Sequence, residues 1–476
     1  MKTFASEQEK ASRKAFLASL CETPPDQLLK NSEQESIAAF NRALKCVPAF
    51  AKLLQQHGQP TSPIDSIDAF LSRAPLLNKH NTFGQFPIHE LCVDGHLEGV
   101  RSLLTSSGHS GVFSFGVNTA TNLDNSSKSI DAGLQYLFNI DELSTLVINA
   151  LPMGVKVHTR STVLAETSVR DDMVYALIQR FAGEFDQVVM IGEGSFLKRI
   201  IEDGRDQHGI DWPTLRVHLV TGEEGIAENY RSYIGTLLGI SEFDQPGGKL
   251  IMSSMGVAEL DLNIFHETPH TIRMRRLAHE NAALRKALFH IDTPFCPMLF
   301  MYYPHRCYVE TRNVGATWPE IVISMLSPEM KLPLLRYCSG DYGNIFRHDE
   351  LLGLLARHDI HIKPDLKLPF VAVYGRGKAL QTTSGPLYPE AVKEAIYAEP
   401  AIAETLTGNF RLTGTNTIGR LDLQLRHGKN LSNRMLDNLH GHLAKYSPTQ
   451  PEIFMHAYSS FPYGMEIDFE RKFAYL

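Results

Sequence analysis

An α/β fold, built on a mainly parallel sheet covered by helices, is what this sequence predicts, and three features predict it. Between positions 143 and 253, strand-length apolar runs alternate with helix-length amphipathic ones in a β-α-β-α-β rhythm. Between 310 and 335 the pattern turns to shorter, β-rich segments. Beyond position 374, helix and strand patterns alternate on a smaller scale, as in a separate α+β unit. A chain of 476 residues exceeds what one small core needs, so more than one domain is expected.

Residues 6–57 read as helical, because Leu17, Leu20, Ala38, Phe40, Leu44, Phe50 and Leu53 recur at three- and four-residue steps. Pro24-Pro25 and Pro60 to Pro63 punctuate that region. Residues 143–150 are an apolar strand run ending at Pro152, and 154–158 predict the next strand. An amphipathic helix follows over 169–181, a short buried strand over 187–191, and a helix over 195–204 with Ser195 as its N-cap. Further strands are expected at 215–220 and 250–253, with a helix over 225–238 between them. Residues 320–326 and 368–374 read as strands and 348–358 as a short helix. The last part predicts a helix from Pro389, strands at 411–412 and 421–425, a helix over 432–444 and a final strand over 452–457. A boundary near Tyr374 to Arg376 divides a large unit, 1–374, from a small one, 375–476.

Bulk composition removes several function classes. With 43% hydrophobic and 21% charged residues the chain is ordinary globular material, and a net charge of −7 gives no polyanion-binding signal. The basic run from Arg273 to Arg276 is interleaved with apolar residues at helical spacing, which reads as a solvated helix face, so no nucleic-acid partner is expected. No apolar run approaches the roughly 20 residues that span a bilayer. The six cysteines are scattered without a CxxC, which fits a reducing cytoplasm. Cys296, His305 and Cys307 could start a zinc site, but no fourth ligand stands at a suitable spacing.

The chemistry-bearing signals are a series of turns. Leu335-Arg336-Tyr337-Cys338-Ser339-Gly340-Asp341 reads as an apolar strand, a tight turn at Gly340 and a carboxylate. Asp341 offers two acceptors for the two hydroxyls of a ribose. Thr105-Ser106-Ser107-Gly108-His109-Ser110-Gly111 can bring backbone N–H groups and hydroxyls to phosphate oxygens. Its Gly108-His109-Ser110-Gly111-Val112 portion also approaches the esterase elbow Gly-x-Ser-x-Gly, but Val112 stands at the closing position. Gly222-Glu223 and Gly256 to Glu259 fall at the ends of two predicted strands, where a parallel sheet presents ligands. A carboxylate such as Glu259 suits a hard cation beside phosphates.

In their order, together with Tyr374-Gly375-Arg376 and Arg471-Lys472, these turns resemble the motifs of the adenylate-forming enzymes, in particular the phenylacetate–CoA ligase-like branch. The resemblance spans about residues 70–476 and implies a large N-terminal domain and a small, mobile C-terminal one. It implies that ATP and a small carboxylic acid, aryl or aliphatic, form an acyl-adenylate with release of pyrophosphate. The acyl group then passes to CoA, to a carrier-protein thiol or to an amine; a degenerate member would bind acyl-adenylate without turnover. It places Ser106, Ser107, Gly108, His109, Ser110 and Gly111 at the phosphates, and Gly222, Glu223, Met255 and Gly256 around the adenine. It further places Asp341 and Arg376 at the ribose or phosphate, and Glu259 on Mg2+. Gly375 and Lys378 mark the hinge, and Lys472 is the catalytic cation. His109 and Ala258 depart from the family pattern, since both positions usually hold Thr, and the gap between Asp341 and Gly375 implies an insertion at 345–367. His158 and Arg160 are candidates for the acyl pocket, and a homodimer is compatible with the resemblance.

Overall fold

The computed structural model describes residues 4–106, 111–152, 154–245, 247–291, 293–414, 419–463 and 474–476. The N-terminal region is helical as expected, with α1 Glu7–Glu22, α2 Pro25–Cys46, α3 Pro48–Gln56 and α4 Ile67–Arg73. Ser6 starts α1 through a capping box with Glu9, and Pro25 and Pro48 stand at the first turns of α2 and α3, where a missing N–H costs nothing. A hairpin follows, β1 Val100–Thr105 and β2 Phe115–Thr119, and then α5 Ala120–Phe138.

The chain next alternates strand and helix: β3 Thr145–Ala150, β4 Val163–Glu166, α6 Asp171–Phe181, β5 Gln187–Glu193, α7 Gly194–Asp206, β6 Val217–Gly222, α8 Glu228–Leu238 and β7 Ile251–Val257. All six residues of β3 are buried, which is why it reads as an unbroken apolar run. Two local expectations fail. Residues 154–158 form no strand; Gly154 is left-handed, and the Val155 carbonyl is tied by the Asn149 amide at 2.7 Å instead of a ladder. The N-cap of α7 is Glu193, not Ser195, because its carboxylate reaches the Ser195 and Phe196 amides at 2.8 and 3.0 Å.

The β-rich part continues the same sheet. It contains β8 Asp261–His266, α9 Pro269–Glu280, α10 Ala282–Phe289, β9 Met298–Tyr302, β10 Cys307–Arg312, β11 Glu320–Met325, β12 Tyr337–Phe346, α11 His348–Ala356 and β13 Phe370–Gly375. The eleven strands run in the order β10-β11-β12-β13-β9-β8-β7-β6-β5-β3-β4. The half from β4 to β7 is parallel and the half from β7 to β10 antiparallel. β7 is the seam. Its first residues pair with β6 up to Thr221↔Ser253, and its last residues pair with β8 from Ser254↔His266. Because β6 stops at Gly222 while β7 runs on to Val257, the far half of β7 lies beyond the parallel strand ends and leaves a crevice there.

After β13 come the ribbon β14 Leu380–Thr382 and β15 Gly385–Leu387, then α12 Pro389–Tyr397, α13 Pro400–Ala403, β16 Leu406–Gly414, β17 Gly419–Leu425, α14 Asn433–Tyr446 and β18 Glu452–His456. β16, β17 and β18 form their own sheet. It rests on α7, where the buried Lys198 ammonium pairs with Glu202 and donates to the Leu406 carbonyl, both at 2.7 Å. In α12, Glu394 caps α8 by accepting from the Glu228 and Asn229 amides at 3.0 Å.

A fully buried charge cluster fastens the seam. Arg231 in α8 pairs with Glu228 at 3.1 Å and with Glu267 at 2.7 Å, and Arg275 in α9 pairs with Glu228 at 2.5 Å. Glu267 also accepts the Ser253 amide at 2.7 Å, at the point where β7 leaves β6. Burial raises the Glu228 carboxyl, but Arg231 and Arg275 override it and bring it down to about 2. Removing one partner of such a cluster strands the other charges, so Arg231→Met should destabilise by about 3–5 kcal/mol, measured by urea unfolding at pH 7. Because its folded value is depressed, the Glu228 contribution is complete above the unfolded value of about 4.3 and is lost as pH falls towards 2. Glu228→Gln should therefore flatten the stability–pH curve in that window.

Candidate active site

A cavity of ≈ 530 Å3 lies at the crevice beyond the C-terminal ends of the parallel strands. It draws one wall from each motif. Ser106 comes from the neck of the β1–β2 hairpin, Gly222 and Glu223 from the end of β6, and Met255, Gly256 and Glu259 from the end of β7 and its turn. Asp341 comes from β12, and Gly375, Arg376 and Lys378 from the end of β13 and beyond. Gly111 is exposed and does not line it. Ser107, Gly108, His109, Ser110 and Lys472 fall outside the described residues, as does the elbow serine of the esterase alternative. The segment just past Lys472 is described, and its Ala474, Tyr475 and Leu476 also line the cavity.

Local backbone explains these placements. Ser106 closes the hairpin neck: its amide donates to the Ser114 carbonyl and its hydroxyl accepts from the Ser114 amide, each at 3.0 Å. Gly116 in β2 lies so close to the turn after β7 that a Cβ there would stand 2.3 Å from the Ala258 carbonyl oxygen. Only glycine allows that approach, and it presses the hairpin onto the Gly256–Glu259 turn. Asp341 does not follow a strand, as the sequence suggests, but interrupts one. From the Val322↔Cys338 pair to the Glu320↔Tyr342 pair, β12 advances four residues while β11 advances two, so two residues are extra. Gly340, at φ 84°, turns this bulge, and the Asp341 carboxylate accepts from Ser339 at 2.7 Å.

Glu259 is buried at 3% exposure. Its Oε1 accepts from the Tyr337 hydroxyl at 2.6 Å and stands 3.8 Å from the Lys79 ammonium. Tyr337 is the aromatic of the ribose motif, so one strand orients both the candidate cation ligand and the candidate ribose ligand. Among the described residues no cluster of three or more His, Cys, Asp or Glu could enclose a metal. One carboxylate fits Mg2+, which binds through one or two carboxylates and otherwise through phosphates and water.

Several lining residues carried no sequence signal. Lys79 arrives from far upstream because the Leu77 segment bridges to Tyr337. Lys393 of α12 pairs with Glu224 at 2.7 Å and lies 4.5 Å from the Tyr475 ring centroid. Its neighbour Glu390 has its carboxyl raised by burial, with Lys393 opposing. The acyl-pocket candidates do not hold: Arg160 pairs with Asp124 at 2.5 Å, and Val155 and Val157 face the cavity where His158 was expected. The apolar walls are completed by Ile130 and Leu134 of α5 with Ile191, Val220 and Met252 of the strand ends. The zinc alternative fails too. Cys296 and Cys307 donate to different carbonyls, those of Arg275 and Tyr303, and among the described residues they belong to no group of three or more His, Cys, Asp or Glu that could hold a metal.

No protein-family model and no curated protein sequence matches this chain. Solved structures do. A 2-hydroxyisobutyryl-CoA ligase in the postadenylation state, in complex with R3-HIB-AMP, superposes with a TM-score of 0.66 at 10% identity, covering 92% of this chain and 88% of that one. The same ligase in the postadenylation state with 2-HIB-AMP gives 0.63 at 11% identity, covering 89% and 85%. In the thioesterification state, with 2-HIB-AMP and CoA, it gives 0.54 at 11% identity, covering 92% and 88%. At such identities the likeness is one of fold: this chain has the fold of the 2-hydroxyisobutyryl-CoA ligase.

Proposed function

We propose that this protein is an ATP-dependent acid–thiol ligase, similar to the phenylacetate–CoA ligase-like branch. One observation carries the reading: a single cavity gathers residues from five separate motifs. The fold adds support, because ligase structures that share it are complexes with R3-HIB-AMP and 2-HIB-AMP.

In this reading the carboxylate oxygen of the acid attacks the α-phosphorus of ATP, and the bond to the departing pyrophosphate breaks. Asp341 accepts hydrogen bonds from the ribose hydroxyls, while Met255 lies flat against the adenine beside Gly222 and Glu223. Ser106 to Ser110 hold phosphate oxygens, and Lys472 bridges the carboxylate and α-phosphate as charge builds on the leaving group. Glu259 would hold Mg2+, which when bound neutralises charge on the phosphates. A thiol of CoA or of a carrier protein then attacks the acyl carbonyl and expels AMP. The left-handed Gly375 and Gly377, at φ 72° and 62°, flank Arg376 and suit a hinge at the 374/375 boundary. The higher similarity to the postadenylation than to the thioesterification state supports an adenylation-like placement of the C-terminal part.

The test is carboxylate-dependent ATP–pyrophosphate exchange over a panel of aryl and aliphatic acids. Wild type should exchange with one acid class, and Lys472→Ala should lose roughly 100-fold or more. No exchange with any acid, despite measurable ATP binding, would overturn the reading. Replacing pyrophosphate exchange with product analysis, in the presence of CoA or of an amine, identifies the acceptor. Tyr337→Phe tests the orientation of Glu259: stability should fall by only about 1 kcal/mol, while the Mg2+ concentration giving half-maximal exchange should rise several-fold. An unchanged Mg2+ requirement would detach Tyr337 from the cation site.

A further inference from the structure

We propose that the part of the cavity bounded by His266, Ser254 and Asn263 is a subsite for a neutral hydroxyl group, alcohol or phenol, carried by the carboxylic acid. The proposal rests on the adenylation reading above and names the class of acid.

The position of His266 follows from the seam. Ser254 and His266 are directly opposed in the β7–β8 ladder, so their side chains stand on one face of the sheet. Both line the cavity, as does Asn263, whose left-handed backbone at φ 55° breaks the alternation of β8. The Ser254 hydroxyl donates to the Asn263 side-chain oxygen at 2.8 Å, so this pair is already ordered. His266 is different. It is only 2% exposed, and neither ring nitrogen has a hydrogen-bond partner among the described residues. Its ring is fixed by stacking on Tyr303, with centroids 5.0 Å apart and planes 28° apart. A buried imidazole with two unanswered nitrogens is unfavourable unless something else answers them.

The electrostatics select what that is. The charged group that acts on the ring is Arg306, itself paired with Asp261 at 2.6 Å. Burial first, then Arg306, push His266 down to about 4, so the ring is neutral at pH 7. A neutral imidazole offers one N–H donor and one acceptor nitrogen. A hydroxyl answers either role, and with the Ser254 hydroxyl alongside it can donate and accept at once. A second carboxylate can only accept and an ammonium can only donate, and each would also bring a charge into a largely apolar cavity. The surrounding walls, among them Leu134, Val220, Met252 and Phe300, take the hydrocarbon body of the acid.

The test uses calorimetry with non-hydrolysable acyl-sulfamoyladenosines in matched pairs: 2-hydroxy, 3-hydroxy and ring-hydroxylated acyl groups, each against its deoxy counterpart. On wild type at least one hydroxylated member should bind about tenfold or more tightly than its partner, since a site built for a hydroxyl rejects the analogue lacking it. H266L should erase that discrimination, and H266Q, which keeps a donor and an acceptor, should retain part of it. Equal affinities within every pair, or discrimination that survives in H266L, would overturn the subsite. If H266L does not fold, loss of discrimination in Ser254→Ala and its partial retention in H266Q carry the same decision. Failure of 5′-sulfamoyladenosine and of every acyl derivative to bind wild type would instead overturn the adenylation reading, and the subsite with it.

Discussion

Four buried charges hold the place where the sheet changes direction, and the cavity exists because they do. Glu228, Arg231, Glu267 and Arg275 sum to zero charge and satisfy one another. Arg231, Glu267 and Arg275 also hold backbone in place. Arg275 donates to the Ile226 and Pro297 carbonyls, which fixes the start of α8 and the approach to β9. Glu267 takes the Ser253 amide where β7 parts from β6. An all-apolar core could fill this volume, but it would not dictate where the parallel ladder ends. The C-terminal part hangs on the same point, since Glu394 caps α8 one turn from Arg231.

The site is correspondingly an edge-to-edge construction. Glu259 belongs to the turn after a strand of the parallel ladder and Tyr337 to a strand of the antiparallel one, and their 2.6 Å hydrogen bond closes the distance between halves. Neither half alone walls the cavity. The β1–β2 hairpin reaches the same turn only through the missing side chain at Gly116.

The parallel half was legible in the sequence for a physical reason. Its strands are covered on both faces, so β3, β5 and β6 appear as apolar runs that polar helix faces separate. The motif turns were legible because glycine and carboxylates at strand ends are few and ordered. What was hidden depends on distance along the chain. Nothing near Lys79 signals that it meets Glu259, and nothing near His266 signals that both its nitrogens go unanswered. Residues 154–158 misled because two valines that face a cavity give the same alternating pattern as a strand edge. Asp341 misled in the opposite sense, since a bulge inside a strand is written with the same residues as a turn that ends one.

That bulge has an evolutionary consequence. Ser339, Gly340 and Asp341 sit between two pairs that set the register on either side, and the two extra residues bear no part of the ladder. The segment is thus an exchangeable socket in a fixed frame. Its length and composition can drift, or be grafted from another member of the fold, while β11, β12 and the core behind them keep their contacts. A shared fold at about a tenth identity is what such a separation of frame and socket permits.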